Sequence, residues 1–249
     1  MCLLAWIHRT HPDAPLVVAA NRDEVLDRPS VAMTVLREAG PRVVGGRDEL
    51  AGGTWLAVNH HGVAAGLTNL PSPGGRDPSK RSRGELPLLL ARHETAKEAV
   101  EELTKQVSPR AFNPCWILVG DGRDLFYLDV TGDAVGVAAL EPGVHVLENV
   151  PIDARSPKAA EVKRLVQDAL PLRGEELVAA LATILGSHEL PEGADADPRR
   201  PAETYAACVH AGPYGTRSST IIVGDEVRYA DGSPCVTPFR RFTAGPPAT

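Results

Sequence analysis

Short apolar runs separated by turn chemistry open the chain. Leu3 to His8 reads as a strand, and so does Leu16-Val17-Val18-Ala19-Ala20. Pro12-Asp13-Ala14-Pro15 between them is turn chemistry, so the two should pair as a hairpin. Thr54 to Val58 and Val63 to Thr68 form a second hairpin, with Gly62 supplying the positive φ that a tight turn often needs. The period then changes. Ser82 is placed as the cap of a helix opened by Arg83-Gly84-Glu85, with Leu86 to Ala91 as its apolar face. Ala96, Ala99, Val100 and Leu103 recur at helical spacing and predict a second helix.

Strand patterns resume at Cys115 to Val119, Leu125 to Val130, Val135 to Leu140 and Val144 to Glu148. Ser156 and Pro157 are a cap and first-turn proline for a helix over Lys158 to Ala169, and another helix follows from Glu175 to Leu185. Ser187 to Glu203 has no periodicity and reads as a long surface loop. Thr220 to Val223 and Val227 to Tyr229 close the pattern as a hairpin across Gly224-Asp225. Strands, two helices, strands, two helices, strands is the order of an α+β fold rather than a parallel α/β sheet. Two antiparallel sheets between two helical layers satisfy it. No linker divides the chain, so one domain is expected over 1–242, with a flexible tail at 243–249.

Composition narrows the function. The chain of 249 residues is 43% apolar and 23% charged, which is ordinary for a globular protein. A net charge of −6 argues against a nucleic-acid partner. The first apolar run, Cys2 to Ile7, ends at His8-Arg9 and is too short for a secretory signal core, and no stretch is long enough for a membrane span. A cytoplasmic location is therefore the expectation, while nothing in the pattern sets an oligomeric state. The four cysteines, Cys2, Cys115, Cys208 and Cys235, are scattered and contain no Cys-x-x-Cys. His60-His61 lies in a hairpin turn without a carboxylate–histidine array. Neither a metal nor a cofactor is expected.

Cys2 is the residue with the most chemistry to offer. Removal of Met1 leaves it with a thiol nucleophile and an α-amine base on one residue, the arrangement of an N-terminal nucleophile. The amine has a pKa of about 7.7–8 and a thiol about 8.5, so proton transfer between them is nearly free. The simpler use of Cys2 is as a small buried hydrophobe opening the first strand.

Several segments raise the first use above the second. Asn21-Arg22-Asp23-Glu24 ends the second strand. With Gly45-Gly46-Arg47-Asp48, Gly52-Gly53-Thr54-Trp55, Leu67-Thr68-Asn69, Ser82-Arg83-Gly84-Glu85-Leu86, Asn113-Pro114-Cys115-Trp116, Asn149 and Thr216-Arg217-Ser218-Ser219-Thr220, it resembles the NRDE family, also called the transport and Golgi organisation protein 2 family. The resemblance runs in order from Cys2 to about Phe242. It implies a branch of the N-terminal nucleophile hydrolases and hence a four-layer αββα sandwich. Its cysteine-amidase cousins imply the site residues. Cys2 would be the nucleophile, Arg22 would hold its thiolate, Asp23 would orient the α-amine, and Asn69 and Asn149 would donate to the oxyanion.

Asp23 departs from that pattern, because the acylases place the Asp three residues after the Arg, where this chain has Val25. A residue next to Arg22 points to the other face of a regular strand. Asn69 and Asn149 each precede a proline by two residues, so both also suit turns. Arg217 offers a planar fork for a carboxylate or phosphate, or a structural ion pair. Trp55 suits the core or a pocket wall. Arg22 beside Cys2 should lower the thiol pKa and make it the most readily alkylated of the four. The activity implied is hydrolysis of a small linear amide. The rival, implied by eukaryotic relatives, is a non-catalytic carrier or trafficking protein for haem or acyl-coenzyme A. Its partner would be an amphipathic acyl ligand in place of a small-molecule amide.

Overall fold

Every residue of the first strand is buried, which fits its apolar run up to His8. The computed structural model describes residues 2–71, 75–194 and 201–243. In chain order its strands are β1 (Cys2–His8), β2 (Leu16–Val25), β3 (Ser30–Arg37), β4 (Val43–Asp48), β5 (Leu56–Asn59), β6 (Ala64–Asn69), β7 (Cys115–Gly120), β8 (Leu125–Val130), β9 (Gly136–Ala139), β10 (Gly143–Leu147), β11 (His210–Ala211), β12 (Tyr214–Val223), β13 (Glu226–Ala230) and β14 (Arg240–Arg241). The helices are α1 (Glu85–Leu90), α2 (Ala96–Gln106), α3 (Pro157–Ala169) and α4 (Gly174–Leu185). The contacts gather into two compact units, one made by residues up to Arg28 with Pro142–Phe242, the other by Pro29–Glu141.

The first unit carries an antiparallel sheet in the order β10-β1-β2-β12-β13-β14, with β11 paired to β12. Alternation along β1 and β2 sends Leu3, Ala5, Ile7, Val17 and Ala19 to one face. There they pack with Val162 and Val166 of α3 and Leu177, Leu181 and Leu185 of α4. Each fully buried aliphatic side chain stabilises the layer by roughly 1.5–3 kcal/mol. The other face of β1, with Cys2, Leu4 and Trp6, is buried as well. Ser156 caps α3 as its sequence predicts, with Oγ accepting from Ala159 N at 3.0 Å.

The second unit carries the sheet β3-β4-β5-β6-β7-β8-β9, a meander in chain order. Leu86 and Leu90 of α1 and Val100 and Leu103 of α2 pack with Ala65, Leu67, Ile117 and Val119. Two of its strands, β3 and β4, were not foreseen. Their pairing shifts register twice, and β4 contains Gly45-Gly46, so neither shows a clean period of two. Those glycines have a packing reason. A Cβ on Gly46 would fall 1.9 Å from the Trp55 ring.

Ser82 does not cap α1. Gly84 holds that position, and Ser82 Oγ instead donates to Gly52 O at 3.2 Å. The cause is a backbone-to-backbone approach between two motif segments. Thr54 N–H donates to Gly84 O at 2.9 Å, and a Cβ on Gly53, whose φ is +84°, would lie 2.5 Å from Gly84. The loop expected over Ser187 to Glu203 is irregular where described, and ends in a short 3-10 turn at Ala202–Tyr205. Apart from Thr243, the expected tail lies outside the described residues. Among the described residues no helix is long and apolar enough to cross a membrane.

Candidate active site

The register of three strands assembles the centre of the site. β1 pairs with β2 so that Cys2 faces Arg22, and β1 pairs on its other side with β10 so that Leu4 faces Leu147. Continued by two residues, the second register brings Asn149 abreast of Cys2. The Cys2 main-chain N donates to Asn149 Oδ1 at 2.8 Å. Cys2, Arg22 and Asn149 are all buried. Three of the expected residues therefore meet within one sheet, although Arg22 is 20 positions from Cys2 and Asn149 is 147.

Alternation sorts the rest of the Asn21-Arg22-Asp23-Glu24 motif. Asn21 points to the helical face. Its Nδ2 donates to Leu185 O at 2.9 Å and Ala207 O at 2.8 Å, and its Oδ1 accepts from Ser219 Oγ at 2.6 Å. It ties β2 to the end of α4 and to β12. Arg22 shares the Cys2 face, and its Nη2 lies 4.0 Å from Glu24 Oε2. The Asp23 side chain goes with Asn21, as the regular strand predicts. Its Oδ1 accepts from Thr216 Oγ1 at 2.6 Å, and Oδ2 lies 3.7 Å from Lys158 Nζ, with both side chains fully buried. What reaches Cys2 from this residue is its main-chain N–H, which bonds the sulfur, and the field of its carboxylate.

Burial dominates the electrostatics of the thiol. Desolvation pushes Cys2 above its ordinary value. The chain's terminal ammonium pulls it down, the Asp23 carboxylate pushes it up, and Arg22 pulls it down by less than burial adds. The expected help from Arg22 is present, but the net direction is opposite to that anticipated from sequence.

The remaining candidates lie on other elements. Asn69 ends β6 opposite Cys115 of β7, in the second unit. Trp55 belongs to the same unit and is buried against Gly46. Arg217 occupies an irregularity in β12, where the register against β2 shifts between Thr216 and Ser218. It is partly exposed, and its Nη1 donates to Asp231 Oδ1 at 3.1 Å. Sequence reasoning missed Lys158, whose Nζ also reaches Thr204 O at 3.4 Å. A lysine in the first turn of an amphipathic helix gives no sign of burial. Thr216 and Ser219 were visible within the Thr216-Arg217-Ser218-Ser219-Thr220 segment, but not as partners of Asp23 and Asn21.

The family profile described as Transport and Golgi organisation 2 matches residues 1–230. The chain belongs to the transport and Golgi organisation 2 family. The bovine Transport and Golgi organization protein 2 homolog is 34% identical over 240 residues, covering 87% of this chain and 83% of the relative. The mouse homolog is 31% identical over 232 residues, covering 84% and 82%. Among solved structures, penicillin V acylase from Agrobacterium tumefaciens superposes with a TM-score of 0.60 at 14% identity, covering 96% of this chain and 84% of that one. The Caenorhabditis elegans N-acylethanolamine-hydrolyzing acid amidase ortholog gives 0.56 at 15%, covering 89% and 92%. The C2A mutant of conjugated bile acid hydrolase from Clostridium perfringens gives 0.55 at 11%, covering 98% and 97%. The fold of this transport and Golgi organisation 2 family member is that of N-terminal nucleophile hydrolase-type acylases, the αββα sandwich.

Proposed function

We propose that the protein is a cysteine N-terminal nucleophile amidohydrolase acting on a small linear amide. The observation that carries this reading is the hydrogen bond from the Cys2 main-chain N to Asn149 Oδ1, with Arg22 facing Cys2 from the other side. Once Met1 is removed, that nitrogen becomes the α-amine and the acceptor already beside it orients its lone pair. A structural neighbour solved as its C2A mutant also carries a cysteine at its second position, which supports the same use here.

In this reading the amine takes the thiol proton as the Cys2 sulfur attacks the amide carbon. Arg22 favours the thiolate against the cost of burial, and the Asp23 carboxylate favours the cationic amine. The oxyanion of the tetrahedral intermediate accepts from the side-chain amide of Asn149, a contact typically worth about 3–4 kcal/mol in acyl transfer, and Asn69 is assigned the second donor on the family resemblance. The ammonium then protonates the leaving nitrogen, the C–N bond breaks and a thioester remains. Water attacks the thioester with the amine as base, releasing the carboxylate and restoring the thiol. Arg217 takes an anionic end of the substrate in exchange for Asp231, and Trp55 is assigned to the pocket wall.

Intact-mass measurement of the protein from its own host should show loss of methionine. Against a broad amide panel, Cys2→Ala should abolish turnover while leaving binding largely intact. Asn69→Ala should lower kcat by about 10²–10³ with a smaller change in KM. A retained Met1, or haem or acyl-coenzyme A binding indifferent to Cys2 with no hydrolysis, would replace this reading with a carrier on the same scaffold.

A further inference from the structure

Four soft donors from three segments of the chain converge in the first unit. One ligand atom from each of His188, Cys208, His210 and Cys235 lies within 4.8 Å of all the others. A zinc tetrahedron with Zn–S of about 2.3 Å and Zn–N of about 2.0–2.1 Å sets its ligand atoms about 3.3–3.8 Å apart. The mixed N–S edge is about 3.6 Å, and His210 Nε2 and Cys235 Sγ stand 3.3 Å apart. Binding would draw the remaining pairs, all within 4.8 Å, to their edges by side-chain rotation.

The surroundings suit metal ligation. His188 Nδ1 and the Cys208 carbonyl are 3.1 Å apart. That bond commits the Nδ1 proton to the carbonyl and leaves Nε2 as the lone-pair nitrogen, the second-sphere arrangement that metal-bound histidines commonly show. The backbone holds the donors in place. Cys208 N–H donates to Ser187 O at 2.8 Å, which brings His188 beside Cys208. The Cys235 turn lies against the end of α4, where a Cβ on Gly186 would come within 3.4 Å of Cys235 N and Cα. Cys208 is buried and Cys235 half-buried, while both histidines are open to solvent, so an ion has an entry path.

We propose that His188, Cys208, His210 and Cys235 form a Cys2His2 site for a tetrahedral divalent metal ion, with zinc as its occupant. Two thiolates and two imidazoles select such an ion over hard cations that prefer oxygen. A Cys208–Cys235 disulfide is the competing use of the sulfurs. It would use the two sulfurs and neither of the imidazoles beside them. The ion would join the segment after α4, the strand β11 and the turn after β13, which contribute little regular structure of their own. It would also brace the site, because Val209 N–H donates to Thr216 Oγ1 at 2.8 Å and that hydroxyl donates to Asp23 at 2.6 Å. The proposal does not depend on Cys2 being a nucleophile.

Tag-free protein purified without chelator should contain one zinc per chain by elemental analysis. Replacement with cobalt should give the intense visible bands of a tetrahedral ion and a near-ultraviolet thiolate charge-transfer band. Cys208→Ser and His210→Ala should reduce bound metal to background. His188→Ala, at an exposed side chain, should fold normally and still weaken cobalt binding, so the test survives if a cysteine variant misfolds. Wild type that takes up no zinc and gives only a weak octahedral cobalt spectrum would overturn the proposal. So would a Cys208–Cys235 disulfide in protein alkylated during lysis of its host.

Discussion

Cys2 and Cys115 are both buried thiols, and their neighbours set them apart. Cys115 is fully buried at the start of β7, and burial pushes it up to about 12, with Arg83 lowering it slightly and Asp129 raising it. Cys2 is also raised by burial, but it has the Asp23 N–H on its sulfur and Arg22 across the strand pair. The two differ less in depth than in the donors and cations prepared for a thiolate. For Cys115 this gives a pH dependence of stability. An unfolded thiol loses its proton near 9.0, whereas folded Cys115 keeps it to about 12. The stability linked to that proton is fully present below 9.0 and is lost as pH rises towards 12, by at most about 4 kcal/mol. Cys115→Ala should be less stable at neutral pH, because it leaves a cavity, yet lose less stability over the alkaline range. Urea midpoints across that range test this. Parallel losses in both proteins would show that Cys115 is not the group responsible.

At the scale of elements, the motif residues divide into those that hold backbone together and those that face Cys2. Asn21 saturates its amide on the end of α4, Ala207 and Ser219, so it sets where β2 lies against the helices. Gly46 makes room for Trp55, and Gly53 and Gly84 let two turns touch. Gly46→Ala should therefore cost about 1–3 kcal/mol by overpacking and change the tryptophan near-ultraviolet signal. Unchanged stability in chemical denaturation would mean that Trp55 has another place to go. The helices were legible because their apolar stripes and the Ser156-Pro157 start are local features. The cap assigned to Ser82 failed because contact with the Gly52-Gly53 turn, 30 residues earlier, decided where α1 begins.

At the scale of the whole molecule, chain distance is what hid the chemistry. The first unit joins residues up to Arg28 with Pro142–Phe242, so the partners of β1 and β2 come from the other end of the sequence. The fully buried Lys158–Asp23 pair bridges 135 positions in this way, linking α3 to β2. Lys158→Met should destabilise the protein by on the order of 3 kcal/mol, because it leaves a carboxylate buried without this cation. Adding Asp23→Asn should recover part of the loss, and a double-mutant cycle measures the coupling. Additive losses would show that the two groups do not interact. The sequence by itself determined the α+β class, most of the strands and helices, and Cys2, Arg22 and Asn149 as residues to watch, since period, turn chemistry and motif order are properties of neighbouring residues. Only the tertiary structure decided that Asn149 receives the Cys2 nitrogen, that Asp23 turns to Lys158 and Thr216, and that burial outweighs Arg22 at the thiol. It also gathered His188, Cys208, His210 and Cys235, of which only Cys208 and His210 are near neighbours in the chain. Each of these depends on strand register and on desolvation, and both exist only once distant segments have packed.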